Sequence, residues 1–268
     1  MSADPAVPAA GRSNSVDLAQ VLIWRELTLR YKRSWLGVAW ALAEPMMNVV
    51  VYVLIFGFVL GARDTVESYP LFIVFGVLPW LFFSTSVDSA STALLDHAPL
   101  VRKIAFQREL LVISVVIARF TTLLLGLALA FAWAGLWTVR GAVLHWPSAP
   151  LVLLGCVLIV AVTVGLGLGT AALQVILRDT GFLVRFALRL GFYACPIIYP
   201  VSRVPEGLRS VYELNPLVGI LGCFHSIAAD ETHPSALALT SAVVGAALIF
   251  FGGVALFRKS QPTVSDLI

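Results

Sequence analysis

The residue types that usually carry catalysis occur in this sequence but are not spaced for it. Cys156, Cys195 and Cys223 form no CxxC pair and lie in or beside apolar runs, which favours burial as small hydrophobic side chains. The four histidines are scattered and form no metal-ligand spacing. No GxxxxGKS or GxxxxGKT phosphate loop, HExxH pair or GxSxG elbow occurs. The sequence therefore predicts no catalytic residue, no metal site and no bound cofactor in this chain.

A basic segment near the N-terminus, residues 17–35, has the spacing of an amphipathic helix. One side of that helix would carry Val21, Ile23, Trp24, Leu27, Tyr31 and Trp35. The other side would carry Arg25, Glu26, Arg30, Lys32 and Arg33, interrupted by Leu18, Leu22 and Leu29. Tryptophans with cations favour a helix over 16–36 that lies on the cytoplasmic leaflet. The alternative is a charged flank that only orients the following span.

The composition indicates that much of the chain lies in lipid. Hydrophobic residues make up 59% of the 268, and charged residues only 12%, about half the share in soluble domains. This composition excludes a cytosolic enzyme, a secreted disulfide scaffold and a disordered chain. The net charge of +3 gives no bulk basic character, so nucleic acid is not an expected partner.

Six segments are long and apolar enough to be considered membrane spans. They are residues 37–60, 70–92, 109–138, 150–177, 181–199 and 235–257. Most Lys and Arg residues lie on one side if both termini are cytoplasmic, as expected for cations retained inside. Residues 1–15 are polar and rich in Pro and Ala, which predicts a disordered tail. We therefore expect an all-α integral membrane protein with a six-span domain over 37–268.

Acidic groups are scarce within these spans, and Glu44 and Asp88 fall near predicted helix ends. A carrier driven by protons or sodium usually needs ionisable groups at mid-depth. Since the chain also lacks a nucleotide-binding loop, it is expected to depend on a partner that supplies energy.

Two further segments have local signatures. Gly165 and Gly169 form a GxxxG pair, which permits close helix packing within the subunit or at a dimer seam. Residues 196–229 are apolar but interrupted by four prolines, so they cannot form one spanning helix. Irregular backbone at membrane depth must be buried or line a cavity. A re-entrant hairpin of two short helices, between spans five and six, is predicted on the outer side.

Three blocks in order resemble a known family. LRYKRSWLGVAWALAEP (29–45) is similar to the entry signature of type-2 ATP-binding-cassette permeases that export O-antigen, capsule or teichoic acid. Residues 69–106 resemble that family's second span and following loop. Residues 177–221, with the CPIIYP and LNPL elements, resemble its fifth span and outer hairpin.

The resemblance implies a homodimer that encloses a path for a lipid-linked glycan, with two ATP-binding-cassette ATPase subunits that bind ATP and Mg. It also implies that the loop over 96–108 couples to the ATPase. Leu100, Val101, Arg102 and Lys103 would be its contacts. The alternative is a solvated loop whose charges only set the topology.

Aromatic residues cluster on the first, second and fifth predicted spans. Those expected to line a glycan path are Trp40, Tyr52, Phe56, Trp80, Phe83 and Tyr193. Flat ring faces suit the apolar faces of sugars and would let a glycan slide along them. The alternative is an ordinary belt at the membrane interface, where tryptophan and tyrosine are also enriched. The resemblance implies an outer gate formed by Pro196, Tyr199, Pro200, Asn215 and Pro216. Arg25, Arg30, Lys32 and Arg33 are candidates to hold the phosphate of the lipid carrier.

The expected function is therefore that of the membrane subunit of an ATP-driven exporter of a lipid-linked polysaccharide, in the bacterial cytoplasmic membrane. An exporter of drugs or small lipids is the alternative within the same class. A membrane-embedded glycosyltransferase is a remote alternative, because the only adjacent acids, Asp230 and Glu231, fall in an external turn.

Overall fold

The computed structural model describes residues 14–31, 40–59, 68–103, 106–139, 146–228 and 233–267, which are helical almost throughout and contain no strand. The helices in chain order are α1 (Asn14–Tyr31), α2 (Trp40–Tyr52, continued by a π-helical segment Val53–Val59), α3 (Tyr69–Asp96), α4 (Ala98–Lys103), α5 (Glu109–Val139), α6 (Ala149–Ile176), α7 (Thr180–Ala194), α8 (Glu206–Glu213), α9 (Pro216–His225) and α10 (Ala236–Leu267). Short 3₁₀ turns cover Trp146–Ser148 and Val201–Arg203. The predicted all-α class is confirmed.

Four of the helices, α3, α5, α6 and α10, are long and apolar enough to cross a bilayer. In each helix the backbone N–H and C=O groups pair with one another, which is the condition for crossing the hydrocarbon core of a bilayer. They confirm the spans predicted at 70–92, 109–138, 150–177 and 235–257. Helix α10 continues about ten residues beyond its predicted end, through Arg258 and Lys259, because charged residues leave the membrane without ending a helix.

The segments predicted as the first and fifth spans are shorter. Helix α2 has 13 residues with Pro45 inside it, and the π-helical segment adds seven. Helix α7 has 15 residues and ends at Ala194, before the irregular stretch that contains Pro196 and Pro200. Neither is long enough to be recognised as a span by its own length and composition. Residues 37–39 and 60 lie outside the described ranges.

Helix α3 is the most enclosed of the long helices, whereas α10 is exposed along most of its length. Ring contacts show that α3 and α5 are antiparallel, since Phe75 meets Phe131 (centroids 5.4 Å apart) and Phe82 meets Phe120 (5.7 Å). The core of the molecule therefore surrounds α3, and side chains on α3 contact most of the other elements.

Helices α6 and α10 pack closely and run in the same direction. Ser148, before α6, lies 3.2 Å from His233, before α10, and further along Gly165 lies against Ile249 and Gly253. The absence of a side chain at both Gly165 and Gly253 allows the two backbones to touch. The GxxxG pair thus packs within the subunit. Because α6 and α10 are parallel, the intervening chain must return from the end of α6 to the level of its start.

Helix α1 covers Asn14–Tyr31 of the predicted 16–36 and packs against α5. The side of α1 that packs on the rest of the protein is not the predicted apolar side. Leu22 is buried, whereas Val21 and Trp24 are exposed at 62% and 72%. The reason is tertiary, since Leu18 and Leu22 pack against the core and turn Trp24 outward. Residues 32–36, with Lys32, Arg33 and Trp35, lie outside the described ranges. So do residues 1–13 of the disordered tail predicted over 1–15, whose last two residues, Asn14 and Ser15, instead belong to α1.

The α6–α10 contact predicts different effects for two adjacent glycines. A Cβ at Gly253 would lie 1.9 Å from the carbonyl oxygen of Gly165, whereas one at Gly252 would meet nothing within 4 Å. We expect Gly253→Ala to destabilise the detergent-purified protein by about 1–3 kcal/mol or more, and Gly252→Ala to stay within about 0.5 kcal/mol. Thermal unfolding measures both. Equal shifts for the two variants would contradict the close α6–α10 packing.

Candidate functional site

Polar and aromatic side chains of α3 meet other elements at three levels along the helix. The middle level consists of rings, the inner level of charged residues near the C-terminal half of α3, and the outer level of hydrogen-bonded residues at its N-terminal end. We call these the ring level, the charged level and the outer level. Each level joins α3 to α7 or to the segment that follows α7.

The ring level joins three elements that are distant in sequence. Phe192 on α7 lies at its centre, with its ring 5.3 Å from Tyr52, 6.1 Å from Trp80 and 5.2 Å from Tyr193. Tyr52 also meets Phe56 at 6.2 Å, and Trp80 meets Phe83 at 5.5 Å. Tilted and edge-on arrangements of this kind are the favoured geometries for aromatic pairs.

Five of the six aromatic residues predicted to line a path belong to this level. They are Tyr52, Phe56, Trp80, Phe83 and Tyr193. The sixth, Trp40, is 43% exposed at the start of α2 and has no ring partner in this cluster among the described residues. Trp80 and Phe83 are buried in the single chain, and Tyr193 is 63% exposed, so Tyr193 is the ring that the cluster presents outward.

Phe192 was missed by sequence reasoning although it holds the cluster together. The signal was present, since Phe192 and Tyr193 are adjacent on a helix that carries a glycine at position 191. A Cβ on Gly191 would lie 2.9 Å from the Trp80 indole, so glycine admits the large ring between α3 and α7. Such complementarity between a glycine and a tryptophan far away in sequence becomes evident only in three dimensions.

The charged level contains Asp88 and Ser89 on α3, Arg119 on α5 and Arg185 on α7. The Arg119 guanidinium donates a hydrogen bond to the Ser89 hydroxyl. The Arg185 guanidinium lies 3.7 Å from the Asp88 carboxylate, and both side chains are partly exposed. Asp88 was expected near a helix end, but α3 continues eight residues beyond it. The acid therefore lies inside the helix and forms an ion pair between α3 and α7.

The outer level ties the start of α3 to the segment after α7. The Tyr69 hydroxyl donates to the carbonyl oxygen of Ile198 over 2.8 Å. The Phe72 ring stacks on the imidazole of His225 with centroids 3.9 Å apart. His225 is almost fully buried at the end of α9, where a charged imidazolium would be costly, so its neutral form suits this place. Neither Tyr69 nor His225 was singled out from the sequence.

The predicted gate residues surround two short helices, α8 and α9. Asn215 caps α9, since its side-chain oxygen accepts from the Leu217 amide over 3.0 Å, and Pro216 follows in the first turn. The Asn215 amide also approaches the Cys195 sulfur at 3.6 Å. Pro196 and Pro200 are buried beside it. The predicted pair of short helices in 196–229 is thereby confirmed.

Tyr199 joins this hairpin to the end of α7. Its hydroxyl donates to the carbonyl oxygen of Tyr193 over 2.8 Å and lies 3.1 Å from the hydroxyl of Tyr212 on α8. Burial raises the pKa of Tyr212, and the contact with Tyr199 adds to that effect. Tyr212 is therefore a neutral phenol at any physiological pH and serves as a stable hydrogen-bonding group.

The predicted coupling residues fall on α4, a six-residue helix between α3 and α5. Val101 is only 7% exposed, so it packs inside the chain and is not offered to a partner. The side chains of Leu100, Arg102 and Lys103 lie outside the described part of the structure. Of the four cations predicted to hold the phosphate of the lipid carrier, Arg25 is exposed on α1. The Arg30 side chain, Lys32 and Arg33 lie outside the described part of the structure. All three cysteines are buried, as expected.

Comparison with known proteins identifies the family of this chain. Residues 17–229 match the ABC-2 type transporter family, so the chain belongs to that family of membrane transporters. It is 31% identical over 251 residues to the O-antigen export system permease protein RfbA of Myxococcus xanthus, covering 92% of this chain and 94% of that protein.

More distant relatives bear related names. An O-antigen export system permease protein RfbA of Klebsiella pneumoniae is 26% identical over 76% of this chain and 77% of its own length. The polysialic acid transport protein KpsM of Escherichia coli is 24% identical over 90% of this chain and 93% of its own length. The family predicted from the three sequence blocks is confirmed.

The ring level predicts unequal roles for two phenylalanines of α7. Phe192 contacts three rings, whereas Phe186 is 60% exposed. We expect Phe192→Ala to lower the unfolding free energy by about 2 kcal/mol, because several aromatic contacts are lost together. Phe186→Ala should change it by less than about 0.5 kcal/mol. Thermal unfolding in detergent compares the two, and an equal loss would contradict a central position for Phe192.

Proposed function

We propose that this chain is the membrane subunit of an ATP-driven exporter that moves a lipid-linked polysaccharide across the bacterial cytoplasmic membrane. The observation that carries the proposal is the match to O-antigen and polysialic acid transport proteins over at least three quarters of the chain. Tyr193, the ring that this cluster presents outward, adds support, because an exposed flat ring face suits contact with a sugar unit. The chain itself acts in transport, and ATP and Mg would bind to a separate ATPase subunit.

Six spans are part of the proposal, with α2 and α7 as the first and fifth. Contacts along α3 support α7 in this role. Arg185 of α7 approaches Asp88 of α3, and the carbonyl oxygen of Ile198 accepts a hydrogen bond from Tyr69 at the start of α3. The α7 segment therefore runs beside α3 from Asp88 to Tyr69, over nineteen positions. That distance is about 28 Å, close to the thickness of the hydrocarbon core. The shorter helix completes its crossing with the irregular stretch after Ala194, which the surrounding protein buries.

The parallel direction of α6 and α10 supports the same topology. If α6 ends on the cytoplasmic side, α7 carries the chain outward and α10 returns it, so both termini are cytoplasmic. Helices α8 and α9 then form a re-entrant hairpin at the outer end of the path. Pro196, Tyr199, Pro200, Asn215 and Pro216 shape that hairpin and would act as the outer gate.

The partners follow from the transporter class. Two copies of the chain would enclose the path as a homodimer, and two ATPase subunits would bind below. Helix α4 would be the coupling element, with Leu100, Arg102 and Lys103 as its contacts and Val101 as its internal anchor. The basic collar of Arg25, Arg30, Lys32 and Arg33 would receive the phosphate of the lipid carrier at the cytoplasmic surface.

Depletion of the protein tests the proposed function. We expect lipid-linked polymer to accumulate inside the cell and the corresponding surface polysaccharide to fall, because synthesis continues while export stops. Fractionation of surface and intracellular polysaccharide measures both pools. Unchanged surface polymer with no internal pool, in a strain without a second permease, would refute polysaccharide export and require a test for a small-molecule cargo.

The topology is tested by the accessibility of introduced cysteines. Ser210→Cys on α8 should react with a membrane-impermeant maleimide from outside intact spheroplasts, whereas Ser260→Cys on α10 should react only after permeabilisation. The native cysteines are buried and give a low background. Labelling of both positions from the same side would contradict six spans.

A further inference from the structure

Helix α7 carries two arginines on a segment that the proposed function assigns to the membrane. Arg185 and Arg189 are one turn apart and exposed in the single chain, and Tyr193 of the ring level follows after another turn. A guanidinium facing lipid alone is costly, so arginines within a span are expected to face water, protein or an anion. The two side chains therefore mark a position where the path is polar.

Asp88 is the acidic residue that Arg185 approaches. One carboxylate can balance only one of the two guanidinium charges that α7 carries at Arg185 and Arg189. The pair is also loose. Arg185 Nη1 lies 3.7 Å from Asp88 Oδ1, beyond hydrogen-bond distance, and that buried oxygen has no hydrogen-bond partner in the described part of the chain. A locked arginine–carboxylate pair would be bidentate at about 2.7–2.9 Å.

The Arg185 guanidinium is held by a second contact that leaves its donors available. It lies over the Phe182 ring, 5.0 Å from the ring centroid. Such a stacked guanidinium keeps its N–H groups in the plane, where they can form the fork that matches a phosphate. Arg189, on the next turn, provides a second set of donors.

From these contacts we infer that Arg185 and Arg189 bind the phosphate group of the lipid-linked substrate within the path, and that Asp88 is the internal counter-ion that this phosphate displaces. The inference rests on the proposed function and names the chemistry that the charged level recognises. From Arg185 to Tyr193 along α7 is about 12 Å. Sugar units attached to a phosphate bound at the arginines would therefore reach the ring level.

Binding of short prenyl diphosphates tests the inference. The full chain with its ATPase subunit is reconstituted in phosphatidylcholine nanodiscs, and binding of geranyl diphosphate is measured by calorimetry, with geraniol as the uncharged control. We expect Arg185→Gln and Arg189→Gln each to weaken binding about tenfold, since each removes charge-assisted hydrogen bonds. Arg258→Gln, an exposed arginine on α10, is the matched control and should bind as the wild type does.

Asp88→Asn distinguishes a displaced counter-ion from a structural ion pair. If phosphate competes with the carboxylate, Asp88→Asn should tighten binding several-fold. A structural pair predicts that Asp88→Asn weakens binding as Arg185→Gln does, and that result would overturn the inference. Equal affinity of wild type and both arginine variants, or no binding of geranyl diphosphate to the wild type, would also overturn it.

Two further arms identify the source of the phosphate. Inorganic diphosphate that binds as tightly as geranyl diphosphate, or phosphatidylglycerol nanodiscs that abolish geranyl diphosphate binding, would assign the site to a free anion or a membrane phospholipid and refute a substrate contact. Thermal unfolding of every variant controls for folding, and Arg185→Lys, which retains the charge, should keep part of the affinity. Depletion tests export separately, so the inference can fail while the proposed function stands.

Discussion

The parallel contact between α6 and α10 constrains the rest of the molecule. Two helices joined by a connection of about sixty residues can be parallel only if that connection returns along the full length of the pair. Gly165 and Gly253 bring the two backbones together so closely that the pair has little freedom to slide or rotate. Helices α7, α8 and α9 make that return. Helix α7 packs on α3, α9 packs on α10, α6 and α3, and α8 packs on α9 and α10.

Helix α3 provides the surface on which that return path is built. The contacts of α3 differ along its length. Near its C-terminal end it forms an ion pair with Arg185 and a hydrogen bond with Arg119, in the middle it contacts aromatic rings, and at its N-terminal end Tyr69 donates to a backbone carbonyl. Polar groups on this helix meet Arg119, Arg185 and Ile198 on other elements, whereas Ser86 Oγ and Asp88 Oδ1 have no hydrogen-bond partner in the described part of the chain. The proline at position 79 is accommodated because the helix is enclosed by protein on most sides.

Much of the fold was predictable because long apolar runs have few alternatives. The bounds of α3, α5 and α6 were predicted within a few residues, and the prolines of 196–229 correctly indicated two short helices. The packed side of α1 was not predictable, since Leu22 is selected by α5 and not by the charge pattern of α1 itself. Phe192 and the Asp88–Arg185 pair were missed for a related reason, because each depends on residues about a hundred positions apart meeting in space.

Tyr193 connects the ring level to helix α8. Its ring contacts Phe192, and its carbonyl oxygen accepts from Tyr199, whose own oxygen lies beside Tyr212. The last turn of α7 and helix α8 are therefore joined through the Tyr199 hydroxyl. The link consists of two hydrogen bonds, each with a net contribution of about 1 kcal/mol. Hydrogen bonds of this strength can break and re-form, so they hold α8 to α7 far less firmly than the close backbone contact holds α6 to α10.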